Sequence, residues 1–295
     1  MNADRVADAE LAALLRTARA QPPHDVPEIA AARQSARARA AARTPGPAMP
    51  TADGTIAGVP VRTYQPGSLP VIVYLHGGGF VLGDLDTHDA QVRRLAAATA
   101  ATAVAVDYRR APEHPWPAAV DDAVTVIAHL AADGTPVAVA GDSAGGLIAV
   151  LAALRLRGDV ALRAQLLVCP NADPTLGLPS VVEKAHGWLL DADDLRRWVA
   201  MWLPDDAVRG SADVNALVAD LTGLPPAVVV TAEHDPLRDE GDAYARRLAD
   251  AGVPVVHRRE AGLVHNFPSL RDVSPAAAAA EDRFLADAAA LLRAR

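Results

Sequence analysis

The residues of this chain best suited to do chemistry lie in the stretch Val137–Gly146, which reads V-A-V-A-G-D-S-A-G-G. Four small apolar residues lead into Gly141-Asp142-Ser143-Ala144-Gly145. An apolar run with helical spacing follows at Leu147, Ile148, Val150, Leu151 and Leu154. The pattern predicts a strand, a sharp turn and a helix, with a Ser at the turn. A Ser so placed stands clear of the sheet, and glycines two before and two after it leave room for the chain to pass. The helix that follows aims its positive end at the place where an oxyanion would form. The chemistry predicted is nucleophilic attack by Ser143. The structural alternative is a Gly-rich loop after a strand.

A Ser nucleophile needs a base, a group to orient the base, and donors for the oxyanion. The chain has nine histidines. His257 falls within a predicted strand and reads as structural. His24, His129 and His186 have no strand-end context, His88 opens a helix, and His234 directly precedes an acid. His265 stands in the loop after the last predicted strand, near apolar Val264 and Phe267, and is the candidate base. Asp235 follows the strand predicted at 227–231 and is the candidate orienter. Glu233 and Asp239 compete with it, and an N-cap is its structural alternative. His76-Gly77-Gly78-Gly79 follows an apolar run, so its glycines leave N–H groups unshielded. A phosphate-binding reading of that loop lacks both G-x-x-x-x-G-K-[ST] and G-x-G-x-x-G. Asp84, Asp86 and Asp89 lack the spacing and glycine of a calcium loop, and no His/Cys cluster has zinc spacing, so no metal is expected.

The elements that must position these groups alternate. Helices are predicted at 4–20 and about 26–43, separated by Gln21-Pro22-Pro23, with a proline-rich linker to residue 50. An antiparallel pair is predicted over 55–64. Strands follow at 71–75, 102–106, 136–140, 164–168, 227–231 and 253–258, and helices at 87–100, 118–132, 239–251 and 275–293. The expected fold class is α/β, a mostly parallel sheet with helices on both faces. Residues 175–215 contain no convincing strand. They hold a helix near 191–203 and read as an insertion.

Composition sets bounds. The formal net charge is −8, with 51% hydrophobic residues and 4% aromatics. That argues against a nucleic-acid partner and mildly disfavours strongly anionic substrates, although net charge says little about one pocket. The single cysteine, Cys169, permits no intramolecular disulfide. The first ten residues carry no apolar signal segment, and no apolar run is long enough to span a membrane. The expectation is a soluble cytoplasmic protein.

Taken together, the chain resembles the hormone-sensitive-lipase-like (bacterial family IV) esterases of the α/β-hydrolase superfamily, over about residues 71–267. The motifs are H-G-G-G-F at 76–80, D-Y-R-R-A-P-E-H-P-W-P-A-A-V-D-D at 107–122, G-D-S-A-G-G at 141–146, D-P-L-R-D-E-G at 235–241 and H-N-F at 265–267. The resemblance implies an α/β-hydrolase fold with an eight-stranded sheet, a triad of Ser143, Asp235 and His265, and an oxyanion hole of the Gly78, Gly79 and Ala144 N–H groups. The chain order Ser, Asp, His fits that fold. It also implies a helical cap built from 1–45 and 175–215 around core segments 46–174 and 216–295, with Glu113 and Asp142 in supporting roles. Arg110, Cys169 and Asn266 stand where such proteins usually carry an aliphatic residue, a Tyr and a Gly.

The expected activity is hydrolysis of uncharged short- to medium-chain acyl esters, with no cofactor. An amidase or lactonase using the same triad is the alternative, and a non-catalytic receptor of the same fold is the alternative of another class. The partner is a small-molecule ester, and a homodimer is left open. Trp198, Met201 and Trp202 share one face of the inserted helix. Trp198 and Trp202, with Phe80 and Trp188, are the candidate pocket residues, the alternative being that the helix face only packs.

Overall fold

The computed structural model describes residues 5–20, 28–65 and 70–294 of the 295. The Gln21-Pro22-Pro23 break and His24 lie outside the described residues. Eight strands form one sheet: β1 (Thr51–Ile56), β2 (Val59–Tyr64), β3 (Val71–Leu75), β4 (Thr102–Val106), β5 (Val137–Asp142), β6 (Gln165–Val168), β7 (Ala227–His234) and β8 (Val255–Val264). Their order across the sheet is β1-β2-β4-β3-β5-β6-β7-β8. The β1–β2 and β2–β4 pairs are antiparallel, and the remaining pairs are parallel.

The central strands are buried on both faces, as parallel strands between helix layers must be. Alternate residues therefore feed two cores. Val71, Val73 and Leu75 pack with helices α4 (Ala118–Ala131), α5 (Ala144–Arg155) and α8 (Arg238–Asp250). Ile72 and Tyr74 face the other way, toward α1 (Ala9–Ala20), α3 (Leu85–Thr99) and α9 (Pro275–Arg293). The predicted insertion holds no strand; it holds α6 (Pro179–Glu183), α7 (Ala192–Trp202) and a 3-10 turn at Asp206–Val208.

The two N-terminal helices are held by different forces. Helix α1 buries Leu11 and Leu15. Helix α2 (Ile29–Ala41) buries no residue and is fastened by polar contacts. Arg33 donates to the carbonyls of Val81 (2.8 Å) and Ala111 (2.9 Å) and grips Glu113 with two bonds of 2.7 and 2.8 Å. Arg37 pairs with Asp84 at 2.5 Å.

Three strand boundaries differ most from expectation, the first being β1, which begins at Thr51, four residues before the expected pair. β7 runs three residues beyond Thr231, and β8 continues to Val264, through 261–264, which reads as loop in the sequence. Gly262 explains the misreading. It sits inside β8 at φ +70°, the strands shift register between Ala232 and His234, and the irregularity is followed by pairing of His234 with Val264. A glycine bulge lets a strand continue past what looks like a turn.

Candidate active site

Ser143 links β5 to α5 with φ +54° and ψ −124°, a strained conformation for a residue with a Cβ. The turn closes only because its flanks are glycines. A Cβ on Gly145 would lie 2.1 Å from the Leu75 carbonyl oxygen, and one on Gly141 would lie 2.5 Å from that of Gly145. The Ser143 N–H donates to the Val168 carbonyl at 2.9 Å, and its carbonyl accepts from the Asn171 N–H at 3.0 Å. The turn is thereby locked to the end of β6.

β7 and β8 end side by side and deliver the partners. His265 follows β8 directly, and its Nε2 lies 3.0 Å from Ser143 Oγ. Its Nδ1 lies 2.8 Å from Asp235 Oδ2. A carboxylate only accepts, so Nδ1 carries the proton and Nε2 accepts from the Ser hydroxyl. Asp235 is fully buried, and its other oxygen accepts from the Leu237 N–H at 2.8 Å. The competing acids are occupied elsewhere. Glu233 accepts from the Gly262 N–H, and Asp239 from the Ser180 N–H. Two other histidines near these strands are engaged away from Ser143. His257 pairs with Asp242 at 2.9 Å, and His234 meets the Arg5 carbonyl at 3.0 Å.

The N–H groups of Gly78, Gly79 and Ala144 form no hydrogen bond among the described residues. The loop that carries them is held from behind. Gly77 donates to Asp142 Oδ1 at 3.0 Å, and the Gly78 carbonyl accepts from Val81 and Leu82. Asp142 is buried and also accepts from Tyr74 Oη at 2.7 Å, while His88 Nε2 stands 3.3 Å from it. Burial pushes the Asp142 pKa up, but His88 and the hydrogen bond from Tyr74 outweigh it and hold the group below the usual carboxylate range. His76, stacked on Tyr108 at 4.2 Å, is driven by burial to a pKa of about 3 and stays neutral. Sequence reasoning passed over Tyr74 and over His88 as more than a helix-opening residue. The available signal was the T-H-D run one turn past the glycine loop.

The acidic triplet near α3 is structural. Asp84 caps α3 through the Thr87 N–H at 2.9 Å, and Asp86 and Asp89 both reach Arg62. Cys169 is buried at the end of β6, and its thiol lies within 4.8 Å of the ligand atoms of Asp235 and His265. Burial, and then the charge of Asp235, push the Cys169 pKa well up, so it stays a thiol. Arg110 donates to the Gly83 carbonyl.

The aromatic residues divide. Trp202 is 1% exposed, stacks on Phe80 at 3.8 Å and meets Trp116 edge-on at 5.8 Å. Phe80 and Trp202 are core. Trp188 stacks on His234, the neighbour of Asp235, at 4.1 Å and lies beneath the Arg19 guanidinium. Trp198 lies against the glycine loop, where a Cβ on Gly79 would come within 2.4 Å of its ring.

A Ser on a strand–helix elbow, with His and Asp at the ends of two neighbouring parallel strands, defines an α/β hydrolase. The chain belongs to the family described as the alpha/beta hydrolase fold, whose model matches residues 72–269, and within it to the hormone-sensitive-lipase-like branch. Carboxylesterase NlhH of Mycobacterium tuberculosis is 44% identical over 245 residues, 77% of this chain and 77% of that protein. Ethyl acetate hydrolase of Pseudomonas putida is 35% identical over 226 residues, 71% of each. The crystal structure of a thermostable esterase from Pseudomonas putida, 32% identical, matches with a TM-score of 0.90 over 99% of both chains.

Proposed function

We propose that this chain is a serine carboxylesterase that hydrolyses small esters through an acyl-enzyme. The observation that carries the reading is the unbroken chain of hydrogen bonds from Ser143 through His265 to Asp235. In this reading Ser143 Oγ attacks the ester carbonyl as His265 Nε2 takes its proton. The oxyanion is held by the N–H groups of Gly78, Gly79 and Ala144, which are already free of other partners. His265 then protonates the leaving alcohol, and Asp235 stabilises the imidazolium. Water, deprotonated by His265, releases the acid. The residues proposed for catalysis need no metal or cofactor.

Residues 1–45 and 175–215 act as a cap in this reading, with Trp198 as the cap residue that meets the oxyanion loop. No helix among the described residues is long and apolar enough to cross a membrane. A cytoplasmic location fits the single, buried cysteine.

The test is covalent labelling. A fluorophosphonate should add once per chain, at Ser143, with activity lost in step with the label. Labelling at another residue, or full activity in the labelled protein, overturns the reading.

A further inference from the structure

A cleft of about 190 Å³ opens beside the oxyanion loop, between α2 and the start of α3. One wall is Ala36, Arg39, Ala40 and Arg43, spaced so that all four share one side of α2 and its continuation. The facing wall contains Gly77, Gly78 and Asn266, the last adjacent to His265. The lining holds two guanidinium groups and no carboxylate.

The neighbouring arginines are paired. Arg33, Arg37, Arg62, Arg93 and Arg94 each hold an acid. Arg39 and Arg43 form no ion pair or hydrogen bond through their side chains among the described residues. The nearby acid, Asp272, accepts from the Thr44 N–H at 2.9 Å. Desolvation, and then the charges of Arg39 and Arg94, act to lower the Arg43 pKa against the pull of Asp272. Two like charges on one wall, neither bonded to a carboxylate among the described residues, favour an incoming anion. The net charge of −8 repels anions from a distance, but that field is screened within a Debye length of about 8 Å at physiological salt.

We propose that Arg39 and Arg43 form an anion subsite, so that among esters of equal size the enzyme favours one with a carboxylate a few bonds from the scissile carbonyl. This rests on the carboxylesterase reading. It extends the expected range beyond uncharged esters. The short reach follows from Gly78, which lines the cleft and also supplies a proposed oxyanion donor. The carboxylate can belong to the acyl side, as in a half-ester of a dicarboxylic acid, or to the alcohol side, as in an acylated hydroxy acid.

Two matched pairs distinguish these sources. Monoethyl adipate is compared with its primary amide, and 4-acetoxybutanoate with its primary amide. The amide has the size of the carboxylate without its charge. The expected result is a carboxylate-to-amide ratio of kcat/KM of about five or more in one pair, carried mainly by KM and shrinking as salt is added. In an Arg39→Ala/Arg43→Ala double variant the ratio should fall toward one. Arg16→Ala, an exposed arginine on α1, should leave the ratio as it is in the wild type. A wild-type ratio of one or less in both pairs, with the amide-bearing esters turned over, overturns the subsite and leaves the esterase reading standing. So does a ratio that survives the double variant. Turnover of no ester at all overturns the carboxylesterase reading, and the subsite with it.

Discussion

His257 and His265 lie eight residues apart on or beside one strand, yet they do different work because their acids differ in place. His265 meets fully buried Asp235 beside Ser143. His257 meets Asp242 on α8, which also accepts from Thr231 and Arg259. Burial works to raise the Asp242 pKa, but the hydrogen bonds from His257, Thr231 and Arg259 outweigh it and hold it at about 2. A depressed folded-state pKa stabilises the fold above the ordinary carboxylate value of about 3.9. That stabilisation is lost as pH falls toward the folded value. Asp242→Asn should therefore lower the urea midpoint relative to wild type above about pH 4, with the gap closing toward pH 2. A gap of constant size across that window would show that Asp242 contributes through shape and not through charge.

Helix α7 shows what a sequence face can and cannot say. Trp198 and Trp202 both lie on its apolar side, and the spacing gave no ground to separate them. The structure separates them by contact: Trp202 is sealed between Phe80 and Trp116, and Trp198 rests on the Gly79 backbone. Trp202→Ala should cost about 3–5 kcal/mol of stability, the usual range for a deleted core Trp, measured by chemical denaturation. Trp198→Ala should keep the fold and move the preferred acyl length upward, read as kcat/KM over chains from two to twelve carbons. An unchanged length profile would make Trp198 a packing residue as well. Elsewhere the elements were legible where the apolar period was strong. β3, β4 and α9 fall where the alternation and spacing put them. The end of β8 was not, because Gly262 reads as a turn until its partner strand is known. Aromatic content near a site says nothing of direction: the contacts of the Trp188 ring with His234 and Arg19 could not be read from the sequence.

Across the whole molecule, the sheet is what turns three distant residues into one site. Ser143 and His265 are 122 positions apart, and Asp235 and His265 are 30 apart. They meet because β5, β7 and β8 end on the same side of a parallel sheet, where sites in open α/β folds form. That much was readable from strand ends and motifs. The supports were not: Tyr74 and His88 on Asp142, and Arg33 on Glu113, join elements that no local pattern links. Nor was the arginine wall of the cleft, since Arg39 and Arg43 stand out only once each neighbouring arginine among the described residues has found its acid. The central claim is that this assembled Ser143 attacks an ester carbonyl. The measurement that tests it most directly is kcat of wild type and folded Ser143→Ala on a short-chain p-nitrophenyl ester. A loss of about five or more orders of magnitude is predicted, and activity in the variant within tenfold of wild type would contradict the account.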